Sequence, residues 1–444
     1  MTLRGRTLVA SGFHAPERGG VEEFRDAVIE IGADGTIAAV RHPGSDGYSV
    51  SNDALHLPEG QILLPGFVDL HVHAPQYPQL GSALDVPLED WLHRHTFPLE
   101  ARYADLGFAE RVYRLLVADL LACGTTTALY FATVHVEATK LLADLCLKAG
   151  QRALIGKVAM DHPETCPDYY RDGSAAEAVA GTRAVIDHIR GLPGNDGLVQ
   201  PVVTPRFIPA CSDAALRGLG ALAQETGCRV QSHVSESDWE HSHVQARHGC
   251  SDAQSLHHFG LMTPGSVFAH GNFLSPPDME LLRSNRSGVA HCPLSNAYFA
   301  GAAFPLRAAL DRGLRVGLGS DISGGPAGTI WETARMAVAA ARMLESGVDP
   351  DLPPAQRSAH PGARIDMATA FHLATAGGAA ALELPVGSFR PGLQFDAMLI
   401  DPTAPQGTLR LWPGQSGALL LERILYGTSR ANIARVWVSG RQVA

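Results

Sequence analysis

Eight short apolar runs lie along the middle of the chain. They are rich in Val, Ile, Leu and Ala, and most lack the polar–apolar alternation of a strand that has one face in water. Strands buried on both faces of a parallel sheet have this composition. The predicted strands are Phe67–Leu70, Thr126–Phe131, Ala153–Met160, Leu198–Thr204, Arg229–Val234, Ser266–His270, Ser287–His291 and Leu314–Gly319.

Longer segments with a helical pattern separate these runs. They include Glu110–Ala122, Ala175–Ile189, Ala214–Thr226 and Pro277–Ser284. A chain in which strands and helices alternate eight times folds most simply as a parallel α/β barrel. The pattern therefore predicts a (β/α)8 barrel of the TIM type.

Both ends of the chain have a different pattern, in which short strands flank turn residues. Val28–Ile31 and Thr36–Val40 surround Asp34-Gly35, a turn sequence typical of β-hairpins. Near the other end, Asp396–Ile400 and Val436–Val438 also predict strands. Because an isolated hairpin is barely stable in water, we expect the two ends to meet in one small flanking β-sandwich. The predicted division is 1–64 and 386–444 for the sandwich and 65–385 for the barrel.

Composition and charge narrow the class of protein. The 444 residues are 45% hydrophobic and 18% charged, as in a well-buried globular protein. The net charge is −10 and Lys and Arg form no cluster, which argues against nucleic acid or an anionic membrane as a partner. The seven cysteines include no Cys-x-x-Cys pair, and no apolar run has the length of a membrane span. We expect a soluble cytoplasmic protein.

Residues that can bind a metal follow four of the predicted strands. In such a barrel the site lies at the C-terminal ends of the strands. The first strand leads into His71 and His73, whose side chains share one face. The fifth, sixth and eighth strands lead to His233, His270 and Asp321. One such residue is usually structural, but five at equivalent positions predict a metal centre. Nitrogen and oxygen ligands without thiolates favour Zn²⁺, with Fe²⁺ as the alternative.

A hydrolytic metal needs a proton carrier nearby, and Glu236 lies three residues after His233. A lysine on the fourth strand could bridge two metals, but Lys157 falls on the third, and the fourth ends in Thr204-Pro205-Arg206. We therefore expect one metal per chain.

Motifs of zinc proteases, serine hydrolases, phosphate loops and dinucleotide-binding folds are absent from the sequence.

The motif Pro-Gly-Phe-Val-Asp-x-His-x-His, the later single histidines and Ser320-Asp321 resemble those of the amidohydrolase superfamily. The resemblance implies a hydrolytic metal in a (β/α)8 barrel beside a β-sandwich built from both termini. Within the superfamily the chain is similar, over nearly its whole length, to members that deaminate guanine. The segments that carry this similarity are His71–Tyr77, Trp91-Leu92, Thr96–Glu100, Gly156–Asp161, Thr204–Cys211, Gln231–Glu236, Ala290–Pro293 and Gly317–Gly325.

The resemblance implies a role for each candidate residue. The implied zinc ligands are His71, His73, His233 and Asp321. The implied purine contacts are Gln76, Arg206, Phe207 and His233. The implied reaction is guanine plus water giving xanthine and ammonia. Activated water, its proton drawn toward Asp321, attacks C2 of guanine, Glu236 passes a proton to N3 and then to the departing amino group, and His270 orients the water.

Two alternatives remain open from the sequence. Ser320 and Ala210 stand where many relatives have Thr and Ser, which leaves room for a pterin, 8-oxoguanine or triazine as substrate. A non-enzymatic scaffold that has lost the metal is the second alternative, and the complete ligand set argues against it. By analogy with the superfamily, we expect a homodimer that binds guanine and water.

Overall fold

Two β-sheets form the framework of the protein. The structure is a computed structural model that describes residues 2–358 and 360–444. The strands are β1 (Arg6–Glu17), β2 (Gly20–Ile31), β3 (Ile37–Arg41), β4 (Leu55–His56), β5 (Ile62–Pro65), β6 (Phe67–His73), β7 (Thr125–Phe131), β8 (Arg152–Gly156), β9 (Val158–Ala159), β10 (Val199–Pro205), β11 (Arg229–Val234), β12 (Val267–His270), β13 (Gly288–His291), β14 (Arg315–Leu318), β15 (Ala397–Ile400), β16 (Ile433–Val438) and β17 (Arg441–Gln442).

Helices connect most of the strands. The α-helices are α1 (Leu88–Trp91), α2 (Phe97–Ala101), α3 (Leu106–Ala122), α4 (Val136–Ala149), α5 (Ala175–Arg190), α6 (Asp213–Thr226), α7 (Asp238–His248), α8 (Asp252–His258), α9 (Pro276–Ser284), α10 (Pro293–Ser295), α11 (Leu306–Asp311), α12 (Ile330–Ser346), α13 (Pro354–Arg357), α14 (Met367–His372), α15 (Gly378–Ala381) and α16 (Gly417–Gly427). π-Helical turns cover Leu92–Thr96, Asn296–Ala300 and Leu373–Gly377, and 3₁₀ turns cover Ala74–Gln79, Arg102–Ala104, Ile208–Ala210 and Arg430–Asn432.

The predicted barrel is confirmed. Strands β6, β7, β8, β10, β11, β12, β13 and β14 follow one another in this order, each parallel to the next. Every residue of β6, β7, β8 and β13 is buried, because the barrel interior covers one face and helices cover the other. The predicted third strand is interrupted at Lys157, after which β9 pairs with β10.

The first and last strands are joined at the end of the barrel where the metal-binding residues were predicted. The backbone N–H of Asp321 donates to the carbonyl of His71 at 2.8 Å, and that of His73 donates to Ile322 at 2.9 Å. This approach requires Gly319, because a Cβ there would lie 2.7 Å from the Cβ of His71. Closing the barrel therefore also brings Asp321 beside the two histidines.

The two ends of the chain meet, as predicted, in a second sheet. Its order is β17-β16-β15-β5-β1-β2-β3, with β4 beside β1. The predicted hairpin is confirmed by the antiparallel pairing of β2 with β3. The hydrogen bonds run through one mixed sheet, in which Leu8 and Trp437 share a core cluster. From these pairings we propose the division into 1–64 and 386–444 for the terminal unit and 65–385 for the barrel.

The four predicted helices are confirmed in α3, α5, α6 and α9. Helix α6 illustrates why they form. Ser212 caps its first turn by accepting a hydrogen bond from the backbone of Ala215, and it ends at Gly227 in the left-handed conformation. Leu216, Leu219 and other buried residues form the face that packs on the barrel. No helix among the described residues is both long enough and apolar enough to span a membrane.

Candidate active site

The five metal-competent side chains predicted from the sequence converge at the C-terminal end of the barrel. His73 Nε2 lies 3.1 Å from His233 Nε2, although the two residues are 160 positions apart. His71 Nε2 lies 3.2 Å from Asp321 Oδ1, and His73 Nε2 lies 3.7 Å from the same oxygen. His270 Nε2 lies 3.9 Å from Asp321 Oδ2. All five are buried.

The geometry of this cluster fits a divalent metal. One potential ligand atom from each of His71, His73 and His233 lies within 4.8 Å of the others, and His71, His270 and Asp321 form a second such group. Nitrogen ligands at about 2.0–2.1 Å in a tetrahedral site lie about 3.4 Å apart, close to the observed His73–His233 separation. The buried Nε2 of His71 has no hydrogen-bond partner within residues 2–358 and 360–444. A bound cation would accept the lone pair of this nitrogen.

Neighbouring groups orient two of the histidines. The Nδ1 of His233 is 2.5 Å from the carbonyl oxygen of Arg206, to which it donates, so its Nε2 lone pair points into the cluster. The Nδ1 of His270 is 2.9 Å from Asn296 Oδ1, which orients its Nε2 in the same way. Burial lowers the pKa of His73, His233 and His270. The neutral imidazoles that a metal requires are therefore favoured.

Asp321 has the opposite electrostatic character. Burial alone would raise the pKa of its carboxyl, but the interaction with His71, whose Nε2 is 3.2 Å from Oδ1, outweighs burial and holds the pKa well below its usual value. The ionised carboxylate is the form that ligates a cation.

Glu236 stands beside the cluster, with Oε1 3.5 Å from His270 Nε2. Burial, followed by the negative charge of Asp321, raises the pKa of Glu236 to about 8. Its backbone N–H donates to Glu240 Oε2 at 2.7 Å, and its carbonyl accepts from Asn272 Nδ2 at 2.8 Å. These two hydrogen bonds fix the backbone of Glu236, and the raised pKa of its carboxyl suits it to exchange protons near neutral pH.

A cavity opens onto these residues. Its lining includes the polar side chains of Gln76 and Arg206 and the aromatic rings of Phe207, Trp91 and Phe299. The Trp91 and Phe299 rings are 5.1 Å apart, so residues from the β6–β7 and β13–β14 connections meet across it. Such a cavity suits a flat ligand with polar edges. All of the predicted purine contacts therefore line one cavity beside the metal cluster.

Two residues that contact this site were not predicted from the sequence as site residues. Glu100 is fully buried and accepts hydrogen bonds from both Gln76 and Arg206. Asn296 orients His270. Asn296 follows the seventh barrel strand, so the same rule of strand ends could have found it. Glu100 lies in a helix of the long β6–β7 connection. The segment Thr96–Glu100 carries part of the family resemblance, but Glu100 follows no barrel strand, so the rule of strand ends does not mark it as a site residue.

Lys157 takes no part in the metal cluster. Its buried ammonium donates to Asp172 Oδ1 at 2.6 Å and to the carbonyl of Val158 at 3.0 Å. Lys157 lies between β8 and β9, at the interruption of the predicted third strand.

The fold and this site identify the class of protein. The sequence model of the Amidohydrolase family matches residues 62–443, and the chain belongs to that family. Among curated proteins, the chain is 36% identical to a probable guanine deaminase of Schizosaccharomyces pombe, over 86% of this chain and 72% of the relative. It is 32% identical to guanine deaminase of Dictyostelium discoideum, over 97% of this chain and 96% of the relative.

The similarity extends to solved structures. A guanine deaminase of C. acetobutylicum with guanine bound in its active site superposes with a TM-score of 0.86. The two sequences are 31% identical, and the alignment covers 99% of this chain and 100% of the other. The chain therefore shares its fold and its family with proteins that are named guanine deaminases.

Proposed function

We propose that the protein hydrolyses guanine to xanthine and ammonia with one zinc ion per chain. The observation that carries the proposal is that three residues of the metal cluster line the same cavity as Glu236, Arg206, Gln76 and Phe207. Relatives named guanine deaminases at 32–36% identity support guanine as the substrate.

The proposed ligands are His71, His73, His233 and Asp321. Three imidazoles and one carboxylate, without a thiolate, favour zinc over other common cations, and Fe²⁺ is the alternative. When bound, such a cation acts as a Lewis acid that activates water for attack at neutral pH. The four side chains are held by barrel strands or by the segment that closes the barrel, so their geometry is fixed before substrate arrives.

We infer that Arg206 and Gln76 recognise the polar edge of guanine. Arg206 has only N–H donors and stays charged, so it suits the carbonyl O6 of guanine and leaves the amino group of adenine without an acceptor. Phe207 offers an apolar face to the ring, and His233 lines the same cavity.

Glu236 is the proposed proton shuttle. The role requires a carboxyl that passes one proton of the attacking water to N3 of the ring and the second proton to the amino group, so that the C2–O bond forms, the C2–N bond breaks and ammonia leaves. The raised pKa of Glu236 supports it, because a group that titrates near neutral pH can both accept and release a proton. His270, oriented by Asn296, is proposed to hold the water beside Glu236 and Asp321.

We also propose a cytoplasmic homodimer. The seven cysteines are all free, which suits a reducing compartment. Two-fold dimers are the commonest soluble oligomers, and light scattering of the purified protein measures this directly.

Ammonia release from a substrate panel tests the proposed function. The metal-loaded protein is incubated separately with guanine, adenine, a pterin, 8-oxoguanine and an amino-triazine. We expect turnover of guanine, with xanthine formed in equal amount, and essentially none of adenine. Faster turnover of the pterin or triazine than of guanine would overturn the proposed substrate, and no turnover of any compound would overturn the proposed activity.

A further inference from the structure

We propose that Glu100 is a positioning residue that makes the purine cavity select neutral purines over anionic ones. The inference rests on the proposed function, because it concerns the two side chains assigned to the polar edge of the purine. Glu100 would determine which purines bind although its side chain does not line the cavity.

The carboxylate of Glu100 binds both purine-recognition side chains. Its Oε2 accepts from Arg206 Nη1 at 2.6 Å, and its Oε1 accepts from Arg206 Nη2 at 3.2 Å. The same Oε1 accepts from Gln76 Nε2 at 2.9 Å. Glu100 has no exposed surface and Arg206 is 2% exposed, so water does not screen the pair. The bidentate geometry fixes the plane of the guanidinium.

The pair sets the charge at the polar end of the cavity. Glu100 contacts the guanidinium of Arg206 directly, and Tyr170 and Cys166 also interact with it electrostatically. Glu236, which lines the same cavity, also interacts with Arg206. Burial raises the pKa of the Tyr170 phenol and of the Cys166 thiol, so both stay neutral. Glu100 therefore supplies the contacting negative charge. A compensated guanidinium still donates to a carbonyl, whereas an uncompensated buried one is a receptor for anions.

Glu100 also decides which way the amide of Gln76 faces. Because Gln76 Nε2 donates to Glu100, its Oε1 is left to accept from the backbone N–H of Ser323 at 3.1 Å. One N–H and one lone pair of this amide remain for a ligand. A glutamine at position 100 that turns its carbonyl to Arg206 would present an NH₂ group to the NH₂ of Gln76. The substitution would thus remove the charge and disturb the amide together.

Equilibrium binding of two unreactive purines to the metal-loaded protein tests the inference. Hypoxanthine is neutral and carries the O6 and N7 of guanine without its amino group, and urate is an anion at neutral pH. We expect the wild type to prefer hypoxanthine. In Glu100→Gln we expect weaker hypoxanthine binding and tighter urate binding, each by about tenfold or more, because a buried charge has lost its partner.

Two further variants separate charge from structure. Glu100→Asp keeps the charge, so both affinities should fall while their ratio stays near that of the wild type. Asp396→Asn is the matched control. Asp396 forms a bidentate pair with buried Arg152 at the start of β8, at the other end of the barrel. Its loss should lower stability and leave the urate-to-hypoxanthine ratio unchanged.

Several outcomes would overturn the inference. They are a wild type that prefers urate, a Glu100→Gln protein in which both affinities change by the same factor, and an Asp396→Asn protein whose ratio shifts like that of Glu100→Gln. The wild-type preference stands as a test even if Glu100→Gln does not fold. Failure of the proposed function is seen separately, as absence of guanine turnover by a wild type that still binds hypoxanthine.

Discussion

Replacing Glu236 by Gln removes the proposed proton carrier with almost no change of shape. In the folded protein its Oε1 is 3.5 Å from His270 Nε2, and its backbone is fixed by Glu240 and Asn272. A glutamine side chain can occupy the same space and cannot shuttle a proton. General acid–base groups contribute about 10²–10⁴-fold, so kcat should fall by that factor, equivalent to about 3–5 kcal/mol in the activation barrier.

The assay pairs steady-state guanine hydrolysis with elemental analysis of the same preparation. We expect the zinc content and the KM for guanine to stay close to those of the wild type, since none of the four proposed ligands changes. Glu240→Gln, the same substitution at a buried carboxyl four residues later, is the control. Its decrease in kcat should be at least tenfold smaller than that of Glu236→Gln. A Glu236→Gln enzyme that keeps most of its turnover would refute the shuttle. One that loses its zinc would show that Glu236 is a ligand.

Three further predictions follow from named contacts. Asp321→Ala should abolish metal binding and turnover while circular dichroism reports a folded protein; retention of zinc would contradict it. Arg206→Leu should lower kcat/KM for guanine by about 10²-fold or more with zinc retained, since a site built on one hydrogen bond loses most of its discrimination without it. The hydrogen bond to Asp252 raises the pKa of His241 above 6.5, so its protonated form stabilises the fold below that pH and the contribution disappears as the pH rises through the raised value. His241→Gln should therefore lower the thermal midpoint at about pH 6 and not at about pH 9.

The barrel and its metal cluster could be predicted because both depend on local order along the chain. Parallel strands buried on both faces form continuous apolar runs, and each brings the residue after it to the same end of the barrel. His233 is the second-last residue of β11, and His270 is the last residue of β12. Their positions in the sequence therefore predicted that both lie at the C-terminal end of the barrel.

The support around the cluster could not be predicted in this way. Glu100 and Arg206 are 106 residues apart. Both lie in segments that carry the family resemblance, but no spacing or pattern in the sequence pairs one with the other. Lys157, at the interruption of the third strand, likewise bonds to a residue that the local sequence does not indicate, Asp172, which lies 15 residues later. Such hydrogen bonds join residues from different connections between strands. Which of these connections lie next to each other is known only from the folded structure.

A zinc titration of metal-free protein, followed by guanine hydrolysis, shows directly whether turnover depends on one bound zinc per chain. We expect no activity without metal, a linear rise as zinc is added, and a plateau at one equivalent per chain. Guanine turnover by protein shown to contain no metal would contradict it. So would a rise that continues to two equivalents, or a fully loaded protein that does not hydrolyse guanine.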